Sequence, residues 1–228
     1  MPGLDLANLK ELVGKDVHPL SRKQVEEDAE DTILSKARIG KVGFLVPGDP
    51  MVATTHVDLR LRAHKAGIKT RIIHAASVAS AAAGVTGLQS YKFGRTVTVP
   101  ASWESEFPES ICMGIKNNLL SGLHSLVLLE IDVENKKYVS IPLALKQLLS
   151  FFERQSENAI RPGTLVVGVA RLEASDMFVK AGTVSEITEM DFGEPPYVLI
   201  FPGHLHFVEA EALRLLCGAP KELVNMNP

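Results

Sequence analysis

The stretch richest in chemistry is PGDPMVATTH, residues 47–56. It follows Val42, Gly43, Phe44, Leu45 and Val46, a run apolar enough for a strand buried on both faces. The ends of such strands are where open α/β sheets place ligands. Gly48 lets a ligand approach the backbone closely, and Asp49 supplies an anion able to draw a sulfonium or ammonium cation. Asp49 before Pro50 equally suits a helix start, a cap worth about 1 kcal/mol; the residue types alone leave both roles open. His56, His74, His124, His204 and His206 offer bases or metal ligands. His204 and His206 stand at i, i+2, and no carboxylate has the spacing of a zinc motif, so no metal site is expected. Ser77 and Ser80 lack the G-x-S-x-G elbow of a hydrolytic nucleophile. AAAGVTG lacks the G-x-G-x-x-G spacing of a dinucleotide site.

These residues need elements to hold them. Leu6, Leu9, Leu12 and Val13 at helical spacing, between Asp5 and Gly14, predict a short capped helix. Ser21 and Gln24 form a capping box ahead of Val25, Ala29, Ile33 and Leu34, a second helix ending near Gly40. Strand 42–46 then leads through the glycine turn into a helix with Asp49 as cap and Pro50 at its first position, running to Gly67. A strand at 71–74 leads into the small-residue stretch 77–84, which completes two successive βα units. Residues 95–99 read as a strand, and Pro100, Ser102 and Pro108 place a domain boundary near residue 100. Beyond it the pattern predicts helices at 109–120, 142–157 and 207–216. Strands are predicted at 125–131, 165–170, 181–187 and 197–201, with short links that favour a mixed sheet.

Composition narrows the class. At 228 residues, 46% apolar and 22% charged, the chain has the balance of a globular α/β protein. A net charge of −3 offers no basic field for nucleic acid. Cys112 and Cys217 form no metal-ligand or disulfide pattern, which fits a reducing cytoplasm. No apolar run approaches the roughly 18 residues of a membrane span, and the first residues carry charges where a secretory signal would be apolar.

At motif level the chain resembles the diphthine synthases. PGDPMVATTH, HAASVASAAAGVTG (74–87) and YKFG (91–94) match that family in order. So do GLHSLVLLEID (122–132), VVGVARL (166–172), DFGEPPYVLIFPG (191–203) and LHFVEAE (205–211). The resemblance covers essentially the whole chain. It implies two α/β domains of the tetrapyrrole methylase fold, here 1–100 and 101–228, with S-adenosylmethionine held in the cleft between them. It further implies a cytoplasmic homodimer that uses no metal. The implied reaction is methylation of the amino group of a 3-amino-3-carboxypropyl histidine on elongation factor 2. Cofactor contacts carry over onto Asp49 and Val52, Ser77 and Val78, Leu129, Leu172 and Tyr197. Val52, Val78, Leu129 and Leu172 are apolar residues suited to an adenosine pocket, and Ser77 can add a directional hydrogen bond. The family often has His where Tyr197 stands and Asp where Glu130 stands.

The family's members begin with a strand and glycine-rich turn upstream of the segment that opens this sequence. The expectation is that Met1 corresponds to an internal methionine of longer relatives, and that without that strand cofactor binding and solubility are poor. Competing readings are a tetrapyrrole or precorrin methylase of the same fold and a non-catalytic cofactor-binding remnant.

Overall fold

The computed structural model describes residues 5–103, 106–133 and 135–225; Met1, on which one expectation above rests, lies outside them. The chain divides into two compact units, Met1–Val78 and Ala79–Pro228. The boundary expected near residue 100 falls beyond strand 97–99, which pairs in the second unit's sheet.

The regular elements described in the first unit are helices, joined by irregular loops. Helix α1 (Leu6–Val13) has Asp5 as N-cap, accepting from the Ala7 amide, and Gly14 as a left-handed C-cap. Helix α2 (Arg22–Glu26) carries the Ser21–Gln24 capping box. The single helix expected to reach Gly40 is instead broken into α2, a π-helical turn at Glu30–Leu34, and α3 (Ser35–Ile39). Thr32 lies at the break, its hydroxyl donating to the carbonyls of Gln24 (2.7 Å) and Asp28 (2.9 Å), so that a side chain competes for the backbone acceptors. Ala29, Ile33, Leu34 and Ala63 are the buried apolar residues of this unit among those described.

Two expectations fail here. Residues 42–46 and 71–74 form no strand among the described residues, and Val42 (43%), Leu45 (54%) and Ile73 (74%) are exposed. A strand exists only through its neighbour's hydrogen bonds, and apolar composition does not supply that neighbour. Nor does Asp49 cap a helix starting at Pro50. Helix α4 (His56–Lys65) starts six residues later, with Thr55 as N-cap. Asp49 instead closes an Asx turn onto the Met51 amide (2.8 Å), and the positive φ of Ala53 (53°) interrupts any helix before it.

Helix α5 (Val78–Thr86) opens the way to the second unit, built on one mixed sheet. Its strands are β1 (Val97–Val99), β2 (Ser125–Leu129), β5 (Leu165–Ala170), β6 (Phe178–Thr183) and β7 (Tyr197–Phe201), in the order β1-β2-β7-β5-β6. Only β1 and β2 run parallel; the other neighbours are antiparallel. The central strands β5 and β7 are buried at every position, as a sheet covered on both faces requires. Helix α6 (Glu109–Leu120) packs on β1 and β2. Helix α7 (Ile141–Arg154) packs on β7 and α6, burying Ile141, Ala144, Leu145, Leu148, Phe151 and Phe152 at helical spacing.

Several boundaries moved for visible reasons. β1 begins at Val97 because Asn118 takes the backbone of Arg95, accepting from its amide (3.0 Å) and donating to its carbonyl (2.9 Å). β2 stops at Leu129, where the chain leaves for a hairpin of β3 (Ile131–Asp132) and β4 (Lys137–Tyr138). The strand expected at 181–187 is β6 followed by helix α8 (Val184–Thr188). Thr183 and Glu186 form a capping box that ends the one and starts the other. Helix α9 (Phe207–Cys217) ends on left-handed Gly218, and α10 (Lys221–Asn225) packs against it.

Candidate active site

In the first unit the chemistry converges on Asp49. Its Oδ1 accepts from the Met51 amide (2.8 Å); its Oδ2 accepts from Nδ1 of His74 (2.8 Å) and from the Ala75 amide (3.3 Å). The Met51 amide, then the His74 ring, hold this carboxyl below the ordinary Asp range, so it is an anion at neutral pH. The carboxylate thereby fastens loop 47–51 to loop 74–76. Gly48 shares that seam: at φ +76°, a Cβ on it would sit 3.5 Å from the Ala76 carbonyl oxygen. Ser77 and Val78 follow at the start of α5, and Val52, 39% exposed, lies just past the Asx turn. The structure thus brings Asp49 to the segment that leads into Ser77 and Val78.

The other three expected contacts lie in the second unit, at one end of its sheet. The register Leu128↔Val198 sets Leu129 beside Tyr197, and Ala170↔Tyr197 places Leu172 two residues beyond the same strand end. Leu129 and Tyr197 are buried and Leu172 is half-buried. Burial raises the Tyr197 phenol above its usual pKa, so it stays protonated, and it donates to the Gly193 carbonyl. Glu130 is directed elsewhere, its Oε2 accepting from the Ala101 amide (2.8 Å) past the end of β1.

Two residues that brace the ends of this sheet, one at each end, carry no role in the sequence reading. Arg171 forks across both loops at the sheet end. Its Nη1 donates to the carbonyls of Phe192 (2.7 Å) and Glu194 (2.6 Å), its Nη2 to that of Asp176 (3.0 Å), and its Nε pairs with the Asp176 carboxylate (2.6 Å). It adjoins Leu172 in the VVGVARL motif, the one signal that marked it. Glu209 is the second. Fully buried on α9, it accepts from Nε2 of His124 (2.9 Å), from the amides of Gln89 (2.9 Å) and His206 (2.8 Å), and from Nζ of Lys92. This network joins the YKFG, GLHS and LHFVEAE motifs at the sheet end opposite Leu129 and Tyr197. Among the described residues no three His, Cys, Asp or Glu side chains are grouped to hold a metal ion.

The family model for Tetrapyrrole (Corrin/Porphyrin) Methylases matches residues 5–187. The diphthine synthase of Methanocella arvoryzae is 45% identical over 216 residues, covering 95% of this chain and 83% of that protein. That of Methanosarcina mazei is 44% identical, covering 97% of this chain and 84% of the relative. Among solved structures, a diphthine synthase superposes with a TM-score of 0.86 at 33% identity, over 97% of this chain and 83% of that one. A putative diphthine synthase from Entamoeba histolytica gives 0.85 at 34% identity, over 96% and 84%. The chain therefore belongs to the diphthine synthase family of tetrapyrrole-methylase-fold enzymes.

Proposed function

We propose that this chain is a methyltransferase that takes methyl groups from S-adenosylmethionine and places them on the amino group of a 3-amino-3-carboxypropyl histidine of elongation factor 2, a step of diphthamide biosynthesis. The observation that carries the reading is identity of 44–45% to diphthine synthases along 95–97% of the chain. The contacts proposed for the cofactor are Asp49, Val52, Ser77, Val78, Leu129, Leu172 and Tyr197.

These residues fit the group. Gly48 leaves the loop backbone bare beside Ala76, Val52 presents apolar surface, and the ionised Asp49 sets a negative field at the loop seam suited to a cation. Bound S-adenosylmethionine supplies an electrophilic methyl carbon. What remains for the protein is to hold the amine in line with that carbon, to keep water out, and to receive a proton. No helix among the described residues is long and apolar enough to cross a membrane. A cytoplasmic homodimer, working on elongation factor 2 without a metal, completes the proposal.

The test is to incubate the chain with S-adenosylmethionine and elongation factor 2 bearing the modified histidine, and to read that peptide by mass spectrometry. A multiply methylated peptide supports the reading and shows that the chain as given binds the cofactor well enough to turn over. An unmodified peptide beside a methylated corrin precursor overturns the acceptor in favour of a tetrapyrrole methylase. Cofactor binding without transfer to either overturns the enzymatic reading.

A further inference from the structure

A neutral imidazole that donates from one nitrogen must present a lone pair on the other. Nδ1 of His74 lies 2.8 Å from Oδ2 of Asp49, and an ionised carboxylate can only accept, so Nδ1 carries the proton. In the neutral ring Nε2 is then the nitrogen that carries the free pair. The side chain of His74 is 70% exposed while that of Asp49 is 7% exposed, so the ring is anchored at its buried edge. Among the described residues, Asp49 is the ionisable group recorded in contact with it. Of the other histidines at candidate positions, His124 is fully buried and has both ring nitrogens engaged, Nε2 by Glu209 and Nδ1 by the Gly203 amide. His56 turns Nδ1 to the Pro50 carbonyl and has no carboxylate behind it among its recorded hydrogen bonds.

We propose that His74, oriented by Asp49, is the general base that removes the proton from the acceptor amine. The inference rests on the methyltransferase reading above. A primary amine reaches the enzyme largely as ammonium, whose nitrogen has no free electron pair. One N–H proton passes to Nε2 of His74, and the freed pair forms the N–CH3 bond as the S–CH3 bond breaks, its electrons remaining on sulfur. His74 then returns the proton to water. Every further methylation of the same nitrogen starts from an alkylammonium and needs the same removal, so one base serves successive cycles.

The deciding variant is His74→Asn. Its Nδ2 can replace Nδ1–H on Asp49 and keep the two loops fastened, but it has no basic nitrogen. Calorimetry is expected to find S-adenosylmethionine affinity within about twofold of the parent, while methyl transfer falls by about a hundredfold, at the low end of general-base effects. Long-range imidazole 15N correlations of the parent should report a protonated Nδ1 and a bare Nε2. A wild-type rate in His74→Asn overturns the proposal, and so does a loss of cofactor affinity as large as the loss of rate, which would mark His74 as a loop fastener. An inactive parent chain is a different result, defeating the methyltransferase reading and the inference with it.

Discussion

Nε2 of His124 lies 2.9 Å from Oε1 of Glu209, and neither side chain is exposed to solvent. The Gly203 amide donates to Nδ1 of the same ring at 2.9 Å, so the ring is neutral with its proton on Nε2. Burial is the main cause that lowers the His124 pKa from 6.5. For Glu209 burial acts upward, but donors from Lys92, Gln89, His206 and His124 outweigh it and bring the carboxyl to about 2.

Both shifts act in the same direction on acidification. His124 stays neutral when folded, so its contribution is complete above 6.5 and is lost as the unfolded chain takes up the proton below it. The Glu209 contribution is complete above 4.5 and is lost as pH falls toward about 2. The melting midpoint is therefore expected to fall progressively below pH 6.5, as differential scanning calorimetry can follow. Glu209→Gln should abolish the lower part of that dependence. It should cost about 3–5 kcal/mol at neutral pH, because Lys92 loses its counter-charge.

Gly203 has no room for a side chain. A Cβ there would meet the Leu123 carbonyl oxygen at 2.5 Å and Gly122 backbone atoms at 2.6 Å. Backbone cannot swing aside as a side-chain tip can, so Gly203→Ala should destabilise the second unit by about 1–3 kcal/mol in urea unfolding. Gly163→Ala, whose Cβ would meet nothing within 4 Å, is the control expected to change little.

Asp49 anchors two loops through three hydrogen bonds. Asp49→Ala is expected to weaken S-adenosylmethionine binding at least about tenfold by calorimetry, the scale of one charge-assisted contact. Asp58→Ala removes a carboxylate paired to Arg62 on the exposed surface of α4 and should leave the affinity unchanged. Equal affinities in the two variants would detach the loop seam from the cofactor.

Arg171 ties loop 171–176 to loop 192–194 by a planar fork. Arg171→Lys keeps the charge but reaches at most part of this set, so it should resemble Arg171→Ala. Both are expected to raise the cofactor dissociation constant about tenfold, the scale of one or two charge-assisted hydrogen bonds. Amide exchange should quicken across both loops.

Much of the second unit was legible without coordinates. Strands 165–170 and 197–201 and helix 109–120 lie where the pattern sets them, because central strands and amphipathic helices carry their environment in their own residues. Capping motifs were equally local, as with Asp5, Gly14 and the Ser21–Gln24 box. Thr183 and Glu186 spell the same box and went unread, which turned β6 and α8 into one expected strand.

The sequence by itself determined the family and the mixed sheet of the second unit, since motif order and periodicity are properties of the chain; the seven proposed cofactor contacts came from the family resemblance of its motifs. The tertiary structure alone decided three things. Whether 42–46 and 71–74 become strands depends on a hydrogen-bonded neighbour, and among the described residues they have none. The pairing of Asp49 with His74 spans 25 positions and left no trace in local spacing. The burial of Glu209 among Lys92, His124 and His206 likewise needed distant segments to converge, for an acidic residue on a helix reads as a solvated face until folding excludes the water around it.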